Sequence, residues 1–166
     1  MKVLIVGAAG MIGGKLSKRL GSDGRLAGRP IGDLYLVDIV APQPPENPPF
    51  PVAVAAYDMA APYVAPKLIA GRPDFIFLLA SVVSGEAEAD FDKGYAINLG
   101  GTHAMFEAIR REQALSGGAY RPRLVFTSSA AVFGAPFPDV ISDDFLSAPL
   151  TSYGTQKAIL DLLLSD

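Results

Sequence analysis

The chain has 166 residues, with 14 Lys and Arg against 17 Asp and Glu, and its formal net charge is −3. This length predicts one domain, and the lack of a basic surplus argues against nucleic acid as a partner. There is no Cys, which excludes disulfides, thiolate metal sites and cysteine nucleophiles. With 50% hydrophobic and 19% charged residues, the composition is typical of a packed globular chain.

The chain begins with a short apolar run, Val3–Val6, which ends at once at Gly7. A secretory signal has a longer apolar core, so the sequence predicts no signal peptide. No apolar run approaches the ~20 residues of a membrane span, and no polybasic segment offers surface attachment. The sequence therefore predicts a cytoplasmic protein without a membrane partner.

Short apolar runs alternate with longer helical patterns along the chain, as in βαβ units. Because buried parallel strands are continuous apolar runs, five strands are predicted, at Lys2–Val6, Leu34–Val37, Val52–Ala55, Phe75–Leu79 and Leu124–Thr127. Spacings of three and four residues predict helices at Ile12–Leu20, Ala61–Ala70, about Asp90–Gln113 and about Ser152–Leu164. Loops are predicted at Gly21–Gly32 and at Ala41–Pro51, which holds six of the fourteen prolines. The expected fold is α/β, a Rossmann-like, doubly wound parallel sheet of strand order 3-2-1-4-5 with helices on both faces.

A glycine pattern, Gly7, Gly10 and Gly13, follows the first predicted strand and leads into the first predicted helix. Gly7 permits a tight turn, Gly10 lets the backbone approach a pyrophosphate, and Gly13 lets the helix close on the strand. The N–H groups of the helix N-terminus then face the phosphates. A flexible glycine-rich loop is the alternative, but the strand before the pattern and the helix after it favour a dinucleotide-binding turn.

Asp38 ends the second predicted strand, where a dinucleotide site needs a carboxylate to accept hydrogen bonds from the adenosine ribose. This carboxylate would repel a 2′-phosphate, and Ile39 and Val40 supply no compensating arginine. With the glycine pattern, Asp38 predicts NAD rather than NADP as the cofactor. Taken by itself, Asp38 is equally well explained as a turn former at a strand end.

Tyr153 and Lys157 lie four residues apart, on one face of the last predicted helix. A phenol must lose its proton to act as a base, and a nearby ammonium favours the phenolate. For this pair alone, a chance occurrence on an amphipathic helix is the simpler explanation. Ser128 and Ser129, however, follow the fifth predicted strand, at the edge where open α/β sheets bind ligands.

Together these features resemble the extended short-chain dehydrogenase/reductase family, also called the NAD-dependent epimerase/dehydratase family. The motifs that carry the resemblance are Gly7-x-x-Gly10-x-x-Gly13, Asp38, Asn98–Thr102, Ser128–Gly134 and Tyr153-x-x-x-Lys157. The resemblance implies that Ser129 holds the substrate oxygen, that Tyr153 is the general base and that Lys157 binds the nicotinamide ribose. Besides Tyr153 and Lys157, it implies further cofactor contacts at Met11, Ile12, Asp58, Met59, Leu79, Ala80 and Asn98. Ser84 is a candidate substrate contact, although capping a helix explains it equally well.

Within this family, the sequence departs from nucleotide-sugar epimerases because Phe77–Ala80 lacks their usual histidine. It is most similar to the NAD-dependent dehydrogenases that oxidise the C2 hydroxyl of D-erythronate, a four-carbon sugar acid. The resemblance implies hydride transfer from that carbon to NAD while Tyr153 removes the hydroxyl proton. Two alternatives stay open: a redox-neutral nucleotide-sugar epimerase or dehydratase with tightly bound NAD, and a non-catalytic module that senses NAD.

The resemblance covers all 166 residues, but family members continue into further strands and a smaller substrate-binding domain. We therefore expect the cofactor half of a longer protein, a single NAD-binding domain over residues 1–166 that binds NAD but turns over poorly. The resemblance also implies a homodimer through the long helix and the catalytic helix. No cluster with ligand spacing is present, so no metal is predicted. One acidic group lies around the start of a predicted helix, and we expect it to complement helix dipoles. It consists of Glu86, Glu88, Asp90 and Asp92.

Overall fold

The computed structural model describes residues 1–166, which form two compact units. Unit 1 comprises Met1–Ala80 and Ala104–Thr127, and unit 2 comprises Ser81–His103 and Ser128–Asp166. The single domain expected over residues 1–166 stays a prediction.

A five-stranded parallel sheet forms the centre of unit 1. The strands in chain order are β1 (Lys2–Val6), β2 (Arg25–Leu26), β3 (Arg29–Pro30), β4 (Asp33–Asp38), β5 (Val52–Ala56), β6 (Phe75–Leu78) and β7 (Arg123–Phe126). The sheet has the order β5-β4-β1-β6-β7, and all neighbouring strands are parallel. Without the short pair β2 and β3, this is the order 3-2-1-4-5, so the predicted topology is confirmed.

The central strand β1 is buried on both faces of the sheet. Leu4 and Val6 belong to one apolar cluster, which also contains Leu68 and Met105. Val3 and Ile5 belong to a second cluster, which also contains Leu20. Because successive strand residues point to opposite faces, helices must cover both sides of the sheet. This arrangement explains why the strand reads as a continuous apolar run instead of an alternating pattern.

The helices in chain order are α1 (Met11–Asp23), α2 (Val64–Ile69), α3 (Ser84–Ala89), α4 (Phe91–Gly94), α5 (Thr102–Leu115) and α6 (Ser152–Ser165). A π-helical stretch, Tyr95–Gly101, joins α4 to α5, and a 3-10 turn is formed by Ala130–Val132. The helix predicted over Asp90–Gln113 is therefore interrupted, and α3 was not predicted. Asp90 precedes α4 as its cap, since its Oδ1 accepts the Lys93 N–H at 3.0 Å. No helix has both the length and the apolar character needed to cross a membrane.

The two predicted loops differ in outcome. The segment Ala41–Pro51 contains no helix or strand, as predicted. The loop prediction for Gly21–Gly32 is wrong in part, because α1 continues to Asp23 and because β2 and β3 pair as an antiparallel hairpin. Ala27 and Gly28 in the hairpin turn have φ of +49° and +76°. Strands of two residues are too short to show a period, so the pattern could not reveal them.

Candidate functional site

The glycine turn lies in unit 1, between β1 and α1. Gly7 has a φ of +93°, and a Cβ added there would lie 2.3 Å from the Ala80 nitrogen. A Cβ on Gly13 would lie 2.2 Å from the Gly7 carbonyl oxygen. At Gly10 a Cβ would meet only that oxygen, at 3.4 Å. The fold therefore requires glycine at the first and third positions, whereas Gly10 keeps the outer side of the turn free of a side chain.

The N-terminus of α1 suits an anion. Gly10 precedes the helix without a side-chain cap, and the first turn contains no acidic residue. The first N–H groups of a helix have no partner within it, and they carry the positive end of its dipole. Met11 and Ile12 are 74% and 54% exposed although they are apolar. A bare helix N-terminus beside exposed apolar side chains fits the pyrophosphate of a dinucleotide.

Asp38, at the end of β4, binds the glycine turn directly. Its Oδ2 accepts the Ala9 N–H at 2.8 Å, and its Oδ1 accepts the Ile39 N–H at 2.7 Å. Each carboxylate oxygen can accept a second hydrogen bond, so both keep an acceptor site for a ribose hydroxyl. Asp38 thus holds the glycine turn in place, and its contact with the ribose stays a prediction.

The other predicted cofactor contacts of unit 1 follow the carboxyl ends of β5 and β6. Asp58 Oδ1 accepts the backbone N–H two residues later at 2.9 Å, and Met59 packs against the first apolar cluster. The N–H groups of Leu79 and Ala80 both donate to the Val6 carbonyl oxygen, at 2.8 and 3.0 Å. Because parallel strands end at the same edge, the structure gathers these residues and the glycine turn at one edge of the sheet.

In unit 2, Tyr153 and Lys157 lie one turn apart on α6. The Lys157 Nζ is 5.7 Å from the centroid of the Tyr153 ring. Lys157 is only 2% exposed, and this burial lowers its pKa to about 8, an effect that the Asp161 carboxylate partly opposes. A buried ammonium acts through a low dielectric, so its field at the neighbouring phenol is stronger than at a protein surface.

Glu88 on α3 caps the start of α6, a role that sequence reasoning did not assign. Its Oε1 accepts the Tyr153 N–H and the Ser152 Oγ–H, both at 2.9 Å. These hydrogen bonds lower the pKa of the Glu88 carboxyl. The prediction placed Glu88 with acidic residues that complement helix dipoles, and the dipole in question belongs to α6 rather than to its own helix. No local pattern links residues this distant in the chain.

Asn98 lies in the π-helical stretch and is 1% exposed. Its Oδ1 accepts the Val82 N–H at 2.7 Å and the Ser81 Oγ–H at 3.0 Å. Its Nδ2 donates to the Val82 carbonyl oxygen at 3.1 Å and to Gln156 Oε1 at 2.7 Å. Protein partners thus engage both ends of the amide, which favours a positioning role, and the cofactor contact of Asn98 stays a prediction.

Gln156 is another buried polar residue, and unlike Asn98 it was not singled out from the sequence. It is fully buried, and its Nε2 has no hydrogen-bond partner. The only sequence signal for it was its place directly before Lys157.

Ser129 caps the 3-10 turn, and its Oγ accepts the Ala131 N–H at 3.2 Å. A Cβ on Gly154 would lie 2.1 Å from the Ala131 carbonyl oxygen, so α6 packs closely on the turn that Ser129 caps. Ser129 also lines a cavity of about 570 Å³, together with Asp143 and Asp161. The three predicted catalytic residues therefore belong to one packed unit.

Ser84 is exposed at the first position of α3. Neither Ser84 nor Tyr153 nor Lys157 lines the cavity beside Ser129. Its contact with substrate stays a prediction.

Comparison with known proteins agrees with this arrangement. Residues 3–166 match the model of the NAD dependent epimerase/dehydratase family. The chain belongs to this family. Its Rossmann-like fold and its glycine turn are consistent with the NAD-dependent chemistry of the family, whose cofactor is NAD.

Individual relatives cover the whole chain. It is 42% identical over 170 residues to D-erythronate dehydrogenase of Cupriavidus necator, and 38% identical over 168 residues to D-erythronate dehydrogenase of Haemophilus influenzae. Both alignments cover 100% of this chain and 50% of the relative. Among solved structures, the chain is similar to the crystal structure of a nucleoside-diphosphate-sugar epimerase from Agrobacterium tumefaciens, with 55% sequence identity and a TM-score of 0.96. This match covers 100% of this chain and 48% of the other. The chain thus spans about half the length of the relatives it matches.

Proposed function

We propose that this chain is the NAD-binding and catalytic part of a dehydrogenase that oxidises the C2 hydroxyl of a four-carbon sugar acid resembling D-erythronate. The observation that carries the proposal is the buried Lys157 one turn from Tyr153, in a chain that two D-erythronate dehydrogenases match along its whole length. A module that only senses NAD needs no buried ammonium beside a phenol. The homodimer and the cytoplasmic location stay predictions.

In this proposal, unit 1 holds the cofactor. Gly10 and the N-terminus of α1 bind the pyrophosphate, while Gly7 and Gly13 allow the turn to form. Asp38 accepts hydrogen bonds from the adenosine ribose, and its negative charge selects against a 2′-phosphate. Further contacts come from the residues at the same sheet edge, namely Met11, Ile12, Asp58, Met59, Leu79 and Ala80. When bound, NAD supplies the acceptor for the C2 hydrogen and its electron pair.

Unit 2 supplies the proton chemistry. Tyr153 accepts the hydroxyl proton of the substrate at its phenolate oxygen, and Ser129 Oγ holds the same substrate oxygen. With a pKa of about 8, Lys157 is charged at neutral pH and stabilises the phenolate. Loss of the hydroxyl proton and of the C2 hydrogen with its electron pair leaves the 2-keto acid as the product.

A second candidate is a redox-neutral nucleotide-sugar epimerase. It is favoured by the 55% identity to the protein described as a nucleoside-diphosphate-sugar epimerase. Both candidates need the same cofactor turn and the same phenol, so they differ in whether NADH accumulates.

The first experiment measures NAD binding by calorimetry. Gly10→Val places a side chain on the open side of the glycine turn, where a Cβ meets only one atom, at 3.4 Å, so the fold should survive while NAD binding is lost. The matched control is Gly14→Ala, whose Cβ meets only the Ala8 oxygen at 3.8 Å. Equal NAD affinity in Gly10→Val and wild type would contradict the assignment of the cofactor turn.

The second experiment separates the reactions. The chain, at a concentration above that of NAD, is mixed with D-erythronate or with nucleotide-sugars, and NADH fluorescence is followed in a single turnover. We expect NADH with the sugar acid only, and none in Tyr153→Phe. Interconversion of a nucleotide-sugar without NADH release identifies the epimerase instead.

A further inference from the structure

A basic pocket of about 370 Å³ lies in unit 1, at the opposite sheet edge from the glycine turn. Its lining consists of Ala27, Arg29, Asp74, Phe75, Arg121 and Arg123. Phe75 and Arg123 are the first residues of β6 and β7, so the pocket lies at the amino ends of these parallel strands. It is therefore separate from the edge to which the cofactor contacts are assigned.

The charges in this pocket are unbalanced. Three guanidinium groups share it with one carboxylate, in a chain whose net charge is −3. The Asp74 Oδ2 already accepts the Lys2 backbone N–H at 2.7 Å. None of the three arginines forms a salt bridge, whereas Arg19, Arg72 and Arg110 each pair with a carboxylate. A local surplus of cations without counter-ions attracts an anion.

Two of the three guanidinium groups are held in place by the protein. The Arg121 Nε donates to the Gly118 carbonyl oxygen at 3.1 Å, and the Arg123 guanidinium lies 5.9 Å from the centroid of the Phe75 ring. Pro122 between them restricts the backbone, and both arginines line the same pocket. Arg121 and Arg123 therefore converge on one space.

The third guanidinium comes from the β2–β3 hairpin, whose turn is strained. Ala27 adopts a φ of +49°, a region that residues with a Cβ rarely occupy. Arg25 Nη2 donates to the Gly28 carbonyl oxygen at 2.5 Å and holds the turn closed. Strained turns persist where the surrounding structure imposes them, and they are common at ligand sites. Here the strained turn brings Arg29 to the pocket.

We propose that this pocket binds a phosphate group, either free or on a small metabolite. A guanidinium group can donate two parallel hydrogen bonds to two oxygens of one phosphate, and its positive charge offsets the negative charge of the phosphate dianion. The Phe75 ring supplies an apolar contact for the carbon part of a ligand. The concave shape and the negative charge of the whole chain disfavour a large polyanion such as nucleic acid.

The test is a titration of the ¹⁵N-labelled chain with inorganic phosphate or glycerol 3-phosphate at constant ionic strength, followed by ¹H–¹⁵N spectra. Saturable shifts with one shared dissociation constant are expected at residues 27–29, 74–75, 121 and 123. The variant Arg29→Gln/Arg123→Gln should bind at least about tenfold more weakly, because two charge-assisted hydrogen-bonding groups are lost. The matched control, Arg19→Gln/Arg111→Gln, removes the same charge elsewhere and should bind like wild type.

A second variant gives a change in the opposite direction. Asp74→Asn keeps an acceptor for the Lys2 N–H and removes the only negative charge of the pocket, so it should bind phosphate more tightly, a result that unfolding cannot mimic. Tighter binding of glycerol 3-phosphate than of phosphate supports an organic ligand, and equal binding supports the free ion. Phosphate that binds instead at the N-terminus of α1 would shift the peaks of residues 8–13, and these shifts would be the same in every variant of the pocket. The proposal is overturned if the Arg29→Gln/Arg123→Gln variant binds as wild type does, or if shifts at the pocket do not saturate.

Discussion

The Nδ2 of Asn98 donates a hydrogen bond to the Oε1 of Gln156 at 2.7 Å. Both amides are buried, and the bond joins the π-helical stretch to the residue directly before Lys157. The Gln156 Nε2 has no hydrogen-bond partner, an arrangement that costs stability. The bond therefore ties α6 to the π-helical stretch.

A double-mutant cycle measures the strength of this bond. We expect Asn98→Ala and Gln156→Ala each to lower the free energy of unfolding, and the double variant to lose about 1 kcal/mol less than the sum. The reason is that the first substitution already removes the shared hydrogen bond. Urea unfolding at pH 7 supplies the three values, and strict additivity would show that the two amides do not interact.

Lys157 makes stability depend on pH. Burial lowers its pKa to about 8 from 10.5, so between these values the unfolded chain binds more protons than the folded chain. The free energy of unfolding therefore rises with pH across this window, by up to about 3 kcal/mol in total. Lys157→Met should remove this rise and should be more stable than wild type below pH 8. The comparison of the two unfolding curves from pH 7 to 10 tests this, and parallel curves would contradict it.

Gly13 and Gly14 are neighbours that differ sharply in the space around them. Gly13→Ala should lower the free energy of unfolding by about 2 kcal/mol or more, because its Cβ would lie 2.2 Å from the Gly7 oxygen. The Cβ added by Gly14→Ala makes only an ordinary van der Waals contact. This variant should raise the free energy of unfolding by up to about 1 kcal/mol, because alanine has a higher helix propensity than glycine. Thermal unfolding of both variants is the measurement, and similar melting temperatures would speak against close packing of α1 on the turn.

Asp143 lines the cavity beside Ser129, together with Asp161 and with no cationic side chain. If the substrate is an anionic sugar acid that enters this cavity, Asp143→Asn should tighten its binding about fivefold by removing ~1 kcal/mol of repulsion. Asp144→Asn, at the next residue and outside the lining, is the control. Calorimetric titration with D-erythronate in the presence of NADH, which cannot accept a hydride, gives the dissociation constants without turnover. An unchanged value in Asp143→Asn places the carboxylate of the ligand elsewhere.

The sheet could be predicted from the sequence because each strand is recognisable from the residues of one short segment. Each buried strand is a continuous apolar run, and helical patterns separate all of these runs except β4 and β5. The glycine turn was recognisable for the same reason, since Gly7, Gly10 and Gly13 follow one strand and precede one helix.

The supports of the candidate catalytic helix could not be predicted in this way. Glu88 meets Tyr153 across 65 positions, and Asn98 meets Gln156 across 58. No spacing rule relates residues so far apart. The π-helical stretch Tyr95–Gly101 was also missed, because seven residues are too few to reveal that the period of the helix has changed.

The proline-rich segment Ala41–Pro51 has no regular structure, yet it is tied down. A Cβ on Gly21 of α1 would lie 2.5 Å from Pro45, and Phe50 is buried. Prolines also leave this segment few conformations in the unfolded chain, so little entropy is lost when it folds. A protease has to draw an extended, detached stretch of chain into its cleft. We therefore expect this loop to resist limited proteolysis, although a segment without helix or strand is usually where a protease cuts.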